Sequence, residues 1–376
     1  MSIQFREGSN ILPQQYRHTR PLRYYSFVFD YVEEENSWYT AKIEHRARFI
    51  SKLPLLVEIY GEYGFMKSKN FARYAWFVLG YNTIVILWGA FVRATGSGAG
   101  CGSHWPLCNG EIIPRSPQLE TIIEFAHRIT SGLSLLLAVV LFLWAFRIFE
   151  KKHRVRLGAS LILLFLVTEA LVGAGLVLAE WVATDASQAR VIVMGVHLIN
   201  TFLLLAANVF TAWWASGGEN IILKGHGIIL WLFIAGFVGI IFIGVTGAIT
   251  ALGDTLFPSG SLAEGIQQDF SLTAHFLIRL RLWHPLIALS VGIYTLFLSC
   301  LVAMFRVTPI IRRFTALLAS LFVAQLLAGL INLVLLAPVW MQIVHLLLAD
   351  AVWISFVLLA ATNFSMSEIR QNEYSS

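Results

Sequence analysis

The sequence predicts an all-α integral membrane protein of eight transmembrane helices, arranged as two pseudo-symmetric four-helix bundles. Three observations point there. Of the 376 residues, 57% are hydrophobic and only 13% charged, with a mean hydropathy of +0.70; a soluble domain carries roughly a quarter charged residues. The apolar stretches are continuous, and Leu157–Ala179 and Ile228–Ala251 each exceed the ~20 residues that cross a bilayer. A membrane barrel would show alternating segments of about ten residues instead. Finally, the chain repeats itself. Ile86–Gly100 shares a Gly-Thr-Gly texture with Phe242–Leu256, and Thr168-Glu169-Ala170-Leu171-Val172-Gly173 matches Ala324-Gln325-Leu326-Leu327-Ala328-Gly329, 156 positions on. Two copies in the same orientation imply a pseudo-two-fold axis along the membrane normal.

Residues 1–65 form an aromatic and charged N-terminal extension with no 20-residue apolar stretch, read as a small cytoplasmic cap of unassigned function. Its basic start is not followed by an apolar core, so no signal peptide is expected there. Met66-Lys67-Ser68-Lys69 resembles an ordinary start before a first span. The spans are expected at 73–95, 121–149, 155–180, 190–214, 226–252, 272–304, 309–337 and 339–364, giving an N-terminal half over 66–220 and a C-terminal half over 221–376.

Charge sets the orientation. The extension carries eight basic and eight acidic residues, so the net charge of +5 comes from the remainder and from particular loops. Lys67, Lys69 and Arg73 precede span one; Arg147, Lys151, Lys152, Arg154 and Arg156 join spans two and three; Arg306, Arg312 and Arg313 join spans six and seven. The positive-inside rule makes this side cytoplasmic, with both termini inside. The charge clusters are orientation signals, not a nucleic-acid surface, and no charged ring lines a span as a channel would need.

Four histidines follow the repeat. His127, His197, His284 and His345 lie in the four even spans, two to three turns from the outer end, and His127 and His284 are 157 positions apart. That places each about 10–15 Å along its helix, at one depth. Ionisable groups at membrane depth are costly and usually functional. Neutral imidazole is an axial ligand of haem iron, and one histidine on each of two facing helices is what a bis-histidine haem requires. His18, His45, His153 and His226 fall in the extension or inner loops, His104 in the first outer loop; His275 is a weaker ligand candidate.

The two halves differ chemically. Glu124 precedes His127 by three residues, on the same helix face, whereas Arg281 holds that position before His284. A carboxylate can move protons or stabilise a developing cation, so the asymmetry suggests one haem as substrate and the other as fixed cofactor. Arg128 could pair a haem propionate through its fork; Pro285 stands at that position in the second half, where Arg279 or Arg281 would serve. Glu169 and Asp350 read as inter-helix hydrogen-bonding groups. Cys300 lies in an apolar run as a core thiol. Cys101 and Cys108 share an outer loop where oxidation is permitted, either as a structural disulfide or as a redox-labile pair; their spacing is not that of covalent haem attachment.

These features resemble the haem A synthase family of bacterial type. The resemblance rests on Gly89-Ala90-Phe91-Val92-Arg93-Ala94-Thr95-Gly96-Ser97-Gly98, on Cys101 to Cys108 with Trp105-Pro106-Leu107-Cys108-Asn109-Gly110, on Ile113-Pro114, and on Glu124-Phe125-Ala126-His127-Arg128, over about 73–364. It implies oxidation of the C8 methyl of haem O to a formyl group, giving haem A for terminal oxidases, by two hydroxylations and loss of water. It implies haem O between His127 and His197, haem b held by His284 and His345, and Glu124 essential to the chemistry. As partners it implies a haem O synthase and an electron acceptor, with room for a homo-oligomer, in a bacterial plasma membrane. Two departures stand out. Leu252–Ser271 lacks the second cysteine pair some members carry, and Pro285 replaces a common arginine. The alternative readings are a bis-histidine cytochrome b electron carrier and a haem transporter or chaperone.

Overall fold

The structure, a computed structural model, describes residues 68–306 and 308–365; the expected extension over 1–65 lies outside the described residues. Within them the chain is helical, with eight helices long and apolar enough to cross a membrane. We label these α1 (Ser68–Ala94), α2 (Leu119–Ile148), α3 (Arg154–Leu178), α4 (Gln188–Ala215), α5 (Gly227–Leu256), α9 (Pro309–Val334) and α10 (Val339–Ser365), with the sixth span built from α7 (Phe276–Arg281) and α8 (Trp283–Phe305). A short amphipathic helix, α6 (Leu262–Asp269), precedes α7. The chain is therefore a multi-pass membrane protein, and seven of the expected spans start within two residues of where they were placed or, for α1, five residues early.

The sixth span departs from expectation at its N-terminal side. The stretch read as loop forms α6, because Ser261 accepts a hydrogen bond from the Glu264 amide while Glu264 reaches back to the Gly260 amide, a reciprocal N-terminal cap. The span itself breaks at Leu282. Pro285 sits in the first turn of α8, and its ring clashes with a helical carbonyl four residues back, which is Arg281's.

Helix termini elsewhere follow their local chemistry. Ser187 caps α4, Pro309 begins α9, and the His153 side chain accepts the Val155 amide at the start of α3. Partial burial pushes the His153 imidazole down from its ordinary pKa, against the opposing effect of Glu150, which favours the neutral ring that can accept.

Helix pairing repeats between the halves: α2–α3 and α3–α4 in the first recur as α8–α9 and α9–α10 in the second. Tyr81 and Tyr74 of α1 donate to carbonyls of α2, and Tyr294 of α8 donates to Leu232 of α5. One apolar core fills the first half around Leu141, Ala159, Ile162 and Leu204. The other centres on Trp353, Phe356 and Phe233 and joins the halves, because it includes Phe202 and Leu205 of α4. Along that seam Trp353 stacks on Phe202 at 4.8 Å and its indole donates to the Phe202 carbonyl at 2.8 Å. The helices α4 and α10 are accordingly the most enclosed of the eight, while Ile84, Leu136, Val238 and Ile293 face outward. Cys300 is exposed on α8, contrary to its reading as a core thiol; a nearly all-apolar helix gives no periodic signal to separate its lipid face from its packed face.

Candidate functional site

The four histidines lie two in each half, on α2 and α4 and on α8 and α10. In the second half the rings of His284 on α8 and His345 on α10 stand with centres 6.5 Å apart and planes at 88°. This spacing tests whether a haem fits. Metal–imidazole bonds run about 2.0–2.1 Å, so two imidazoles on opposite sides of one iron put their ring centres about 6.3 Å apart. The residues present therefore fit a bis-histidine iron. In the first half the corresponding residues are His127 on α2 and His197 on α4.

What positions the rings was not visible in the histidines themselves. Each of three rings rests on a glycine of the preceding span. A Cβ at Gly89 would come to 3.0 Å from His127 Cε1, one at Gly247 to 3.0 Å from His284 Cε1, and one at Gly329 to 3.0 Å from His345 Cε1. The small residues let the imidazole lie against the neighbouring backbone. The fourth place breaks the pattern: a Cβ at Gly173 would meet nothing within 4 Å. His197 instead has Nδ1 at 3.4 Å from Oε1 of Glu169 on α3.

Glu169 is the hub of a polar cluster inside the first bundle. Its oxygens accept from Asn200 Nδ2 and Thr201 Oγ1, and Thr168 Oγ1 donates to Asn200 Oδ1 at 2.7 Å. This bears out its reading as an inter-helix hydrogen-bonding group. Asp350, given the same reading, is fully buried, and among the described residues neither of its oxygens has a hydrogen-bond partner. The counterpart of Glu169 is Gln325, whose Nε2 lies 3.2 Å from His345 Nε2. Elsewhere, His284 Nδ1 pairs with Thr246 Oγ1 at 3.1 Å, while Nδ1 of both His127 and His345 is buried with no hydrogen-bond partner among the described residues.

Above the first pair sits the cysteine loop, closed by a Cys101–Cys108 disulfide with Cα atoms 4.4 Å apart. Glu124 is 3% exposed and spends both oxygens on anchoring this loop. Oε2 accepts the Cys101 amide at 2.8 Å and Oε1 accepts Arg128 through Nε and Nη2. Arg128 completes the tie by donating Nη1 to the carbonyls of His104 and Leu107, each at 2.7 Å. All three of its guanidinium nitrogens thus donate to protein groups. In the second half Arg281 is held by Asp254 and Asp269, Arg279 is exposed, and His275 caps α7 through Nδ1. One further arginine, unassigned in the sequence, bridges the halves: Arg93 donates to Thr255 Oγ1 at 3.2 Å and to Gln342 Oε1 at 2.9 Å.

Comparison with known proteins places these features. Residues 72–357 match the family model COX15-CtaA, described as cytochrome oxidase assembly protein. The chain is 57% identical over 300 residues to a Thermus thermophilus protein named protoheme IX farnesyltransferase, a match covering 79% of this chain and 49% of that one. It is 36% identical over 141 residues to a heme A synthase of Exiguobacterium, covering 38% of this chain and 46% of the relative. A heme A synthase of Halalkalibacterium halodurans matches at 47% over 94 residues, covering 25% and 32%. The chain thus spans about half the length of the Thermus relative. With three-quarters of its length inside one family model, the chain belongs to the COX15-CtaA family of cytochrome oxidase assembly proteins.

Proposed function

We propose that this chain is a haem A synthase, which oxidises the C8 methyl of haem O to a formyl group. The observation that carries the reading is a matched pair of histidine sites with unmatched surroundings. His284 and His345 stand at iron-clamping distance with the neutral Thr246 and Gln325 against their ring nitrogens and Arg281 one turn before His284, whereas the first pair has Glu124 one turn before His127 and Glu169 beside His197. A fixed cofactor and a reacting substrate call for that difference.

In this reading His284 and His345 hold haem b, and His127 and His197 receive haem O as substrate. Haem b, when bound, supplies a one-electron relay. Converting methyl to formyl is a four-electron oxidation: two hydroxylations take up two water molecules, one water is then lost, four protons are released and four electrons leave to an external acceptor. Glu124 serves electrostatically. It lies one turn from His127 and is buried, and its two oxygens already accept three N–H groups. An acceptor so fully engaged is suited to stabilising positive charge that develops at the methyl carbon rather than to taking its proton.

A second reading comes from the Thermus relative's name, farnesyl transfer to protohaem IX. The match spans only half of that protein, so the named activity can reside in the other half. One experiment separates these readings from the electron-carrier and haem-carrier alternatives. The full chain is co-expressed with a haem O source, and extracted haems are resolved by chromatography and mass. The proposal expects the formyl product from the native chain and, from Glu124→Ala, accumulated haem O with haem b retained. Haem O recovered unchanged from the native chain would sink it, and farnesylation of protohaem in the absence of any haem O source would favour the second reading.

A further inference from the structure

From the placement of Glu169 we infer that it is a positioning residue for the first-half haem, fixing His197 and strengthening it as an iron ligand. This rests on His197 binding haem as proposed above, but not on the oxidation itself. Four observations converge. Glu169 Oε1 lies 3.4 Å from His197 Nδ1, and that nitrogen is buried with no hydrogen-bond partner among the described residues. The carboxylate cannot swing away, because Asn200 holds Oε2 and Thr201 holds Oε1. Asn200 is itself fixed by Thr168 and by the Phe165 carbonyl, to which it donates at 2.9 Å. And His197 is the histidine without a glycine cradle, the place at Gly173 being open, so its ring orientation has to come from a side chain.

A ligating histidine ordinarily donates its second ring N–H to a carboxylate or carbonyl, which fixes the tautomer and raises the basicity of the nitrogen on the metal. A shift of about 0.5 Å brings the Glu169 contact to hydrogen-bond length. Nδ1–H then points at the carboxylate and Nε2 faces the iron. The repeat supplies an internal control. Gln325 occupies the repeat-equivalent position, with its amide 3.2 Å from His345 Nε2 rather than Nδ1, and a neutral amide cannot push charge onto an imidazole as a carboxylate does. The two sites therefore differ in the electron richness of one axial ligand. The Glu169 side favours the oxidised iron, so the first-half haem has the lower reduction potential.

The test uses Glu169→Gln and Gln325→Glu in the full-length protein, loaded with haem and read by spectroelectrochemical titration and by the resonance Raman iron–imidazole stretch. Glu169→Gln is expected to raise the potential of the first-half haem, lower its stretching frequency and weaken haem retention about tenfold or more, leaving the other haem unchanged. Gln325→Glu is expected to lower the second-half potential. Unchanged potential and stretch in Glu169→Gln would overturn the inference. Should that variant fail to fold, an unmoved second-half potential in Gln325→Glu would overturn it equally. These readouts need bound haem but no turnover, so a chain that binds haem O without oxidising it would defeat the proposed function and leave Glu169's role standing.

Discussion

A single missing methyl group decides how closely an imidazole can lie against its neighbouring helix. The ring of His345 meets the space where a Gly329 Cβ would stand at 3.0 Å, while the repeat-equivalent Gly173 borders open space. Gly329→Ala is therefore expected to displace the ring and cost about 1 kcal/mol or more in the loaded site, the scale of overpacking a filled core. Haem retained per protein should fall several-fold, as measured by Soret absorbance against protein concentration. Gly173→Ala, which adds the same atom where nothing resists it, should leave retention unchanged. Equal losses in both variants would show that the space beside the ring is not what the glycines provide. The histidines were legible in the sequence because charge at membrane depth is rare enough to stand out. Glu169's partners were not, since Asn200 and Thr201 approach from a helix about thirty positions away and look like ordinary polar residues until α3 and α4 pack.

At the level of elements, the loop between α1 and α2 is held by two devices of unequal strength. The Cys101–Cys108 disulfide closes a ring with a sequence separation of 7, worth about 2–3 kcal/mol by loop-closure entropy. The Glu124–Arg128 pair is nearly enclosed, with side chains 4% and 13% exposed. Removing one member of a buried pair costs about 3–5 kcal/mol, because the partner stays behind uncompensated. Arg128 also carries the His104 and Leu107 carbonyls. Arg128→Ala should accordingly loosen the loop more than Cys101→Ser/Cys108→Ser does. Amide exchange over 100–111 reads this directly, and faster exchange in the double cysteine variant than in Arg128→Ala would reverse the ranking. The sequence pattern placed the spans well because hydropathy marks the lipid-facing length of each. It missed α6, whose eight residues depend on a local Ser261–Glu264 cap, and it read Pro285 only as a missing arginine, not as the break between α7 and α8.

For the whole molecule, the repeat places the two sites back to back. Helix α4 contributes His197 to the first pair, α10 contributes His345 to the second, and these two helices pack on each other through Phe202 and Trp353. The sites thus share a wall, although each takes its other histidine from a helix of its own. Sequence periodicity could show two copies but not which helices join them, since that depends on side chains 151 positions apart. Trp353 is 2% exposed and fills the seam, so truncation to alanine is expected to cost about 3–5 kcal/mol and to let α4 and α10 shift together. Both haems should then be retained less well, in parallel, while Gly329→Ala affects the second-half haem alone. Two-component redox titration of purified Trp353→Ala gives the occupancy of each site. Loss confined to one haem would mean that each bundle holds its cofactor independently and that the seam only glues them together. Parallel loss would mean that the halves form one cooperative unit, in which the distance between the two irons is set by the stacked pair at its centre.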